Sequence, residues 1–180
     1  MNISIEECVG KDETVEVDGS FIVDSVLMLT MADGKIGYQV KEVPAYRKSY
    51  EEEDEAEAAG NSPVDAPADQ ITYLARTGEK VVGQIDLKRS WNHYAYVEDI
   101  RVDQAYRRFG IGRRLIEQAA LWAKSRGLSG IMLETQNTNV KACRFYESCG
   151  FVIGGFDRYL YKGLHKDREE SAVYWYLLFE

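Results

Sequence analysis

The sequence predicts a single mixed α/β domain, a mostly antiparallel central sheet flanked by helices. Three observations carry that prediction. Two short β-rich runs, Ile71 to Ala75 and Lys80 to Leu87, are separated by Thr77-Gly78-Glu79, a hairpin signature. Ile111, Leu115, Ala119 and Trp122 recur at helical spacing within Gly110 to Arg126, and Gly127 supplies the stop. Beyond that helix, β-rich and helical segments alternate as strand–helix–strand, the order expected of a sandwich of sheet and helices.

The first seventy residues carry the weakest signals. Ile3 to Ile5, Phe21 to Thr30 and Lys35 to Val43 hold the β-branched and aromatic residues suited to strands, with a short helix in Phe21 to Met31 as the alternative. Pro44 is expected to end that stretch. An insertion at about 46–70 then carries Tyr46, Tyr50 and the acidic run from Glu51 to Glu57, followed by Gly60, Pro63 and Pro67. Adjacent like charges repel and few apolar residues are available to bury. The insertion reads as a solvated loop or marginal helix, or alternatively as an acidic lip over a cation site. Tyr94 to Val102 is the next strand after the hairpin, and Leu128 to Glu134 follows the first helix. Asn139 to Cys149 is a second helix, capped by Thr138 or Asn139 and terminated by Gly150. Phe151 to Gly154 and Ala172 to Phe179 supply the last strands. No internal repeat is present.

A chain of 180 residues suits one buried core. Three cysteines, Cys8, Cys143 and Cys149, are an odd number without metal-type spacing, so a disulfide framework is not expected and a reducing compartment is. Glu6 and Glu7 near the start, with no basic residue before an apolar stretch, do not make a signal peptide. The longest apolar run, Val26 to Met31, is broken by Thr30 and is too short for a bilayer. The expected location is the cytoplasm, with no membrane partner. A formal net charge of −8 argues against nucleic acid, whose phosphates the average field repels. It suits a cationic small molecule, although charge that only maintains solubility is the plainer account. Positive charge is concentrated instead in Arg101, Arg107, Arg108, Arg113 and Arg114, a basic turn fit to hold an anion.

The sharpest local motif lies there. Arg107-Arg108-Phe109-Gly110-Ile111-Gly112 joins a strand to an amphipathic helix. Gly110 and Gly112 let a ligand approach the backbone. The first helical amides lack intrahelical partners, and with the helix dipole they form an anion site that fits a pyrophosphate. The pattern is neither the nucleotide-hydrolase loop nor the dinucleotide-fold glycine motif. Taken alone, a plain tight turn explains it equally well.

With its context, the chain from about Ile71 onward resembles the Gcn5-related N-acetyltransferase (GNAT) superfamily. Arg107, Gly110 and Gly112 match the family's phosphate motif. In Asn139 to Phe151, Asn139, Ala142, Tyr146, Gly150 and Phe151 match its second signature. Within the superfamily, Trp91 to Ile100, Leu133 to Asn137, Tyr174 to Phe179 and the acidic segment after Tyr50 resemble the streptothricin acetyltransferases. Their substrates are polycations carrying a β-lysine amine and a guanidine-like ring.

The resemblance implies acetyl coenzyme A as cosubstrate and no metal. It places the pyrophosphate on Arg107, Arg108, Phe109, Gly110, Ile111, Gly112 and Arg113. It runs the pantetheine arm along Ile100, Arg101 and Val102, where a backbone amide faces the thioester oxygen. Asn139, Ala142 and Phe145 complete the cofactor set, although Asn139 serves equally as a helix cap. An alkyl amine is mostly protonated at neutral pH, so a base must take its proton. Glu98 is the first candidate, directly or through water, and Asp99 its substitute. Neighbouring strand residues face opposite ways unless a bulge intervenes, so one of the two is expected to reach the amine. Tyr146, a phenol with pKa near about 10, stands where the family protonates the leaving thiolate; a core tyrosine is the plain alternative. Tyr46, Tyr50, Trp91, Tyr94 and Glu134 join Glu98 and Asp99 as candidate substrate contacts, with core or dimer packing the default for Trp91, Tyr94, Tyr96 and Trp175. His93 and His165 lack partners at ligand or triad spacing, and Cys143 and Cys149 are expected to pack in the core. A polyamine acetyltransferase, a protein N-terminal or lysine acetyltransferase and a non-catalytic acetyl coenzyme A sensor are the competing readings. A homodimer stays open.

Overall fold

The computed structural model describes residues 2–9, 17–49, 69–164 and 169–180. In chain order its strands are β1 (Ser4–Glu7), β2 (Phe21–Ala32), β3 (Lys35–Lys48), β4 (Gln70–Thr77), β5 (Lys80–Arg89), β6 (Ala95–Val102), β7 (Gly130–Gln136), β8 (Val152–Asp157) and β9 (Ala172–Leu178). The α-helices are α1 (Ile111–Ser125) and α2 (Val140–Ser148). The chain divides into two units, Met1–Ser20 with Ser49–Ile131 and Phe21–Lys48 with Met132–Glu180. The acidic run, Tyr50 and His165 lie outside the described residues. No helix among the described residues is long and apolar enough to cross a membrane.

In the first unit β1, β4, β5 and β6 lie side by side in that order, each antiparallel to the next. The hairpin expected at Thr77-Gly78-Glu79 forms, with Gly78 at φ 60° supplying the left-handed turn residue. The expected helical stripe, Ile111, Leu115, Ala119 and Trp122, is buried along α1. It lies over β5 so closely that a Cβ at Gly83 would stand 3.1 Å from Ile111 Cγ2 and 3.2 Å from the Arg101 carbonyl oxygen. Glycine at 83 is what lets this helix sit at that depth. Burying a side chain such as Leu115 contributes about 1.5–3 kcal/mol, so the stripe fixes where the helix begins as well as where it lies. The helix ends as its sequence requires: Gly127, at φ 65°, donates to the Lys124 carbonyl and Leu128 donates to that of Ala123.

In the second unit β2 and β3 form an antiparallel hairpin, while β7, β9 and β8 are neighbours in that order. The alternative of a short helix in Phe21 to Met31 is excluded, and the strand does not stop at Pro44. β3 passes through it to Lys48 because the register slips there: Ser25 pairs with Glu42 but Val23 with Tyr46. Pro44 therefore falls where no ladder hydrogen bond is owed. The turn uses Asp33 and Gly34 at φ 50° and 72°, the left-handed pair that a two-residue hairpin demands. α2 is capped by Asn139, whose Oδ1 accepts from the Ala142 amide at 3.2 Å. It closes at Gly150, φ 92°, with Phe151 donating to the Tyr146 carbonyl. Its buried side contains Val140, Cys143 and Tyr146, and the Tyr146 ring meets that of Trp175 on β9 at 6.2 Å.

The second unit also buries an ion pair. The Lys48 ammonium lies 2.6 Å from Glu170 Oε1, with side chains 7% and 9% exposed. Gln136 Oε1 accepts from the same ammonium, and Thr138 Oγ1 donates to Glu170 at 3.1 Å. Neighbouring Asn137 exchanges two hydrogen bonds with the Leu27 backbone and two with that of Ser171. The turn that leads into α2 is thus fixed by charge and by hydrogen bonds on both sides. Such a pair contributes little net stability while intact, but losing one partner strands a buried charge at about 3–5 kcal/mol.

Candidate active site

The first unit holds the candidate base and the candidate phosphate loop. β6 bulges: Asp99 pairs with Asp86, but Leu87 pairs with Val97, so Glu98 is the extra residue. A bulge re-aims side chains that strict alternation would send to opposite faces. Glu98 reaches the Lys88 ammonium at 2.6 Å, and Lys88 is two residues along β5 from Asp86, on its face. Glu98 and Asp99 therefore share one face, the bulge being the exception to strict alternation that the strand pattern allows. Their surroundings differ. Asp99 Oδ2 accepts from Arg101 Nε at 2.6 Å, whereas Asp86 accepts from Thr72 and from Gln84 Nε2. Glu98, Asp86, Thr72 and Glu7 line an open cleft of about 290 Å³. Lys88 was not legible in the sequence, because only the cross-strand register brings it to Glu98; Tyr96, which the sequence offered as a pocket wall or as packing, faces Lys88 across the strands.

The loop from Arg107 to Arg113 has the backbone expected for an anion. Gly110 is the N-cap of α1 at φ 78° and, as a glycine, offers the helix start no side-chain cap. The first intrahelical bond is from the Arg114 amide to the Gly110 carbonyl, so the amides of Ile111, Gly112 and Arg113 precede the ladder. A pyrophosphate fits these donors and the positive end of α1. Arg108, at φ 70°, is a non-glycine residue held in the left-handed region, a strain typical of ligand loops. The arginine charge itself is distributed otherwise than expected. Arg107 donates to the carbonyls of Val102 and Asp18, and burial pulls its pKa below the ordinary arginine value. Arg114 donates to the Ile3 carbonyl at 2.7 Å, and Arg101 is held by Asp99. Guanidinium groups close to backbone carbonyls satisfy the chain first; Arg108 and Arg113 are both exposed on the loop surface. Ile111 is 1% exposed and can offer a ligand its amide alone; Phe109 stands out at 60%. Ile100 and Val102 are half-buried on β6.

Trp91 does not pack in the core. It is 91% exposed on the turn closed by the bond from His93 to the Ser90 carbonyl, and His93 adopts φ 63° there. Tyr94 is half-buried.

The second unit carries the remaining candidates. Asn139 acts as the cap described above, with Ala142 as the residue it caps. Tyr146 is 7% exposed and its ring lies among Phe145, Phe151 and Trp175 at 5.5, 5.8 and 6.2 Å. Glu134 on β7 accepts a hydrogen bond from the Tyr161 hydroxyl. The Tyr174 phenol is raised by burial and then by the carboxylates of Glu134 and Asp157. Tyr46 is 46% exposed on β3. Cys143 is buried and its thiol is pushed up to about 12 by desolvation, which disfavours the thiolate that a nucleophile needs. Cys149 is half-buried rather than in the core.

Residues 38–151 match the Acetyltransferase (GNAT) family. The chain belongs to that family. This GNAT acyltransferase is 38% identical to the Escherichia coli streptothricin acetyltransferase over 91% of its own length and 88% of the relative's. A Bacillus anthracis str. Ames protein, provisionally assigned as a streptothricin acetyltransferase and solved in complex with acetyl coenzyme A, is 48% identical. It superposes at a TM-score of 0.87 over 100% of this chain and 99% of that one. A nourseothricin acetyltransferase structure, 29% identical, gives a TM-score of 0.78 over 98% of each chain. The GNAT acetyltransferase therefore matches these two structures over 100% and 98% of its length, beyond the segment that the family signature covers.

Proposed function

We propose that this acetyltransferase inactivates streptothricin-type antibiotics by acetylating an amine of their β-lysine moiety. The observation that carries the reading is the 38% identity to the Escherichia coli streptothricin acetyltransferase, which extends over 91% of the chain. Residues 1–180 then act as one acetyltransferase domain with an insertion at about 46–70.

Acetyl coenzyme A, the acyl donor, supplies an activated acetyl thioester when bound. The first-turn amides of Ile111, Gly112 and Arg113 would hold its pyrophosphate, with Arg108 and Phe109 on the loop surface and Arg107 keeping the loop's shape. The backbone of Ile100 to Val102 lines the arm and offers an amide to the thioester oxygen. Asn139, Ala142 and Phe145 form the helix side of the cofactor set. Glu98 takes the proton from the substrate ammonium so that the amine's lone pair becomes available, and Asp99, engaged by Arg101, is its substitute. Tyr146 donates a proton to the leaving sulfur. Tyr46, Tyr50, Trp91, Tyr94 and Glu134 contact the cationic substrate.

The test is direct. The protein is incubated with acetyl coenzyme A and streptothricin, spermidine or an aminoglycoside, and thiol release and product mass are followed. Streptothricin should gain one acetyl group at the β-lysine amine. Selective turnover of spermidine would replace the reading with polyamine acetylation, and cofactor binding without turnover of any amine would leave a sensor.

A further inference from the structure

Lys88 stands directly across from Tyr96 in the pairing of β5 with β6. Its ammonium lies 2.6 Å from Glu98 Oε1 and 5.6 Å from the centre of the Tyr96 ring. A carboxylate and an aromatic face converging on one ammonium is a recognition geometry for alkylammonium groups. The neighbouring carboxylates are engaged by other chemistry: Asp86 by a hydroxyl and an amide, Asp99 by a guanidinium. Glu98 instead holds an ammonium on a flexible four-carbon stem, the group that a lysine-like substrate amine presents.

We infer that Glu98 and Tyr96 form the box that receives the substrate's alkylammonium group, and that Lys88 occupies this box in the free enzyme as an internal competitor. The inference deepens the proposed function, resting on its assignment of Glu98 to the amine. The Lys88 and Glu98 side chains are 35% and 40% exposed. Water therefore reaches the pair, and Lys88 can swing out without stranding a buried charge. An incoming amine exchanges one ammonium for another at Glu98, so the carboxylate that selects the cation is also the one placed to deprotonate it. Lys88 is then a specificity-determining residue, because it sets how strongly an amine must bind to take its place. The bulge at Glu98 is what makes the exchange geometrically available, since it turns the carboxylate to the Lys88 face.

The experiment compares Lys88→Gln with Lys88→Arg. Glutamine removes the competing charge, so KM for streptothricin should fall by about two- to fivefold, the range an exposed ion pair allows. Arginine holds a carboxylate through two parallel N–H bonds and should be harder to displace, so KM should rise. Calorimetric titration of each protein with streptothricin, without acetyl coenzyme A, should give the same order: glutamine variant tightest, wild type next, arginine variant weakest. Loss of a purely structural contact would move both variants in one direction. Unchanged Kd and KM, or shifts of one sign in both variants, overturn the inference. If the binding order holds but no acetylated product forms, the proposed activity fails and the amine box stands. If product forms without that order, the activity stands and the role of Lys88 fails.

Discussion

Gly83→Ala tests how the sheet sets the position of the phosphate helix. The added Cβ would meet Ile111 Cγ2 at 3.1 Å, the Arg101 carbonyl oxygen at 3.2 Å and Leu115 Cδ1 at 3.4 Å. Carbon atoms in a packed interior rest about 3.5–4.0 Å apart, so the two nearest neighbours must each yield by a few tenths of an ångström. The Arg101 oxygen belongs to the backbone of β6, and Ile111 and Leu115 are fully buried on α1. The displacement falls on the helix, at the end that carries the uncapped amides. Overpacking of this kind costs about 1–3 kcal/mol. Against it, alanine restricts the unfolded chain at a position without a left-handed backbone, which returns about 0.4–1 kcal/mol. The net runs from about zero to 2.6 kcal/mol, and its midpoint of about 1.3 kcal/mol lowers the melting temperature by about 3–5 °C for a chain of this size. Scanning calorimetry measures the first effect. Steady-state kinetics measures the second, an increase in KM for acetyl coenzyme A as the helix start moves. A variant that melts at or above the wild-type temperature with an unchanged cofactor KM would refute the claim that Gly83 sets the depth of α1.

Four further outcomes follow from the site. Gly112→Val should weaken acetyl coenzyme A by about tenfold, or 1.4 kcal/mol, because a branched side chain blocks close approach to the loop backbone; unchanged affinity by calorimetry removes the loop from the cofactor site. Tyr146→Phe keeps the ring packing but loses the proton, so turnover should fall by about a hundredfold at similar cofactor affinity; wild-type turnover under chemistry-limited conditions would return Tyr146 to the core. Glu98→Gln should slow the reaction most near neutral pH and recover partly as pH rises and free amine accumulates. A pH profile of the same shape as wild type moves the base to Asp99 or solvent. Burial raises the Cys143 thiol to about 12, so its thiolate is scarce at pH 8 and the folded protein should resist alkylation there, as peptide mass mapping would show. Rapid labelling of Cys143 in the folded state contradicts that burial.

Much of the fold was legible because its signals are local. Ile111, Leu115, Ala119 and Trp122 announce α1 by spacing, and Gly127 and Gly150 mark two helix ends where a left-handed residue is needed. The Asp33-Gly34 turn was legible too, in the dipeptide itself, and would have fixed the β2–β3 hairpin had it been given weight over the ambiguous run beside it. Pro44 misled for the opposite reason. A proline ends a strand only where a ladder bond is owed, and the slip between Val23 and Ser25 is a property of the pairing rather than of either strand. The same limit governs the site. Glycines and uncapped amides of the phosphate loop can be read along the chain. The partners of Glu98 depend on register, and the use of Arg107 on the Asp18 carbonyl and of Arg114 on that of Ile3 depends on contacts across scores of residues. Lys48 and Glu170, 122 positions apart, offer no periodicity that would join them.

The order β7–β9–β8 has a consequence for how the second unit comes into being. The strand made last sits in the middle, so during synthesis β7 and β8 emerge with the place between them empty. Both present unpaired edges until residues 172–178 arrive to join them. Trp175, the ring that Tyr146 packs against, travels on that strand. Glu170, just ahead of it, brings the only described carboxylate bonded to the Lys48 ammonium. A ribosome-bound chain can therefore finish the β4–β5–β6 meander and α1 early, while the half bearing Tyr146 must wait for its keystone. Chaperone occupancy and protease sensitivity of the nascent protein should concentrate in that interval, and end abruptly when it closes.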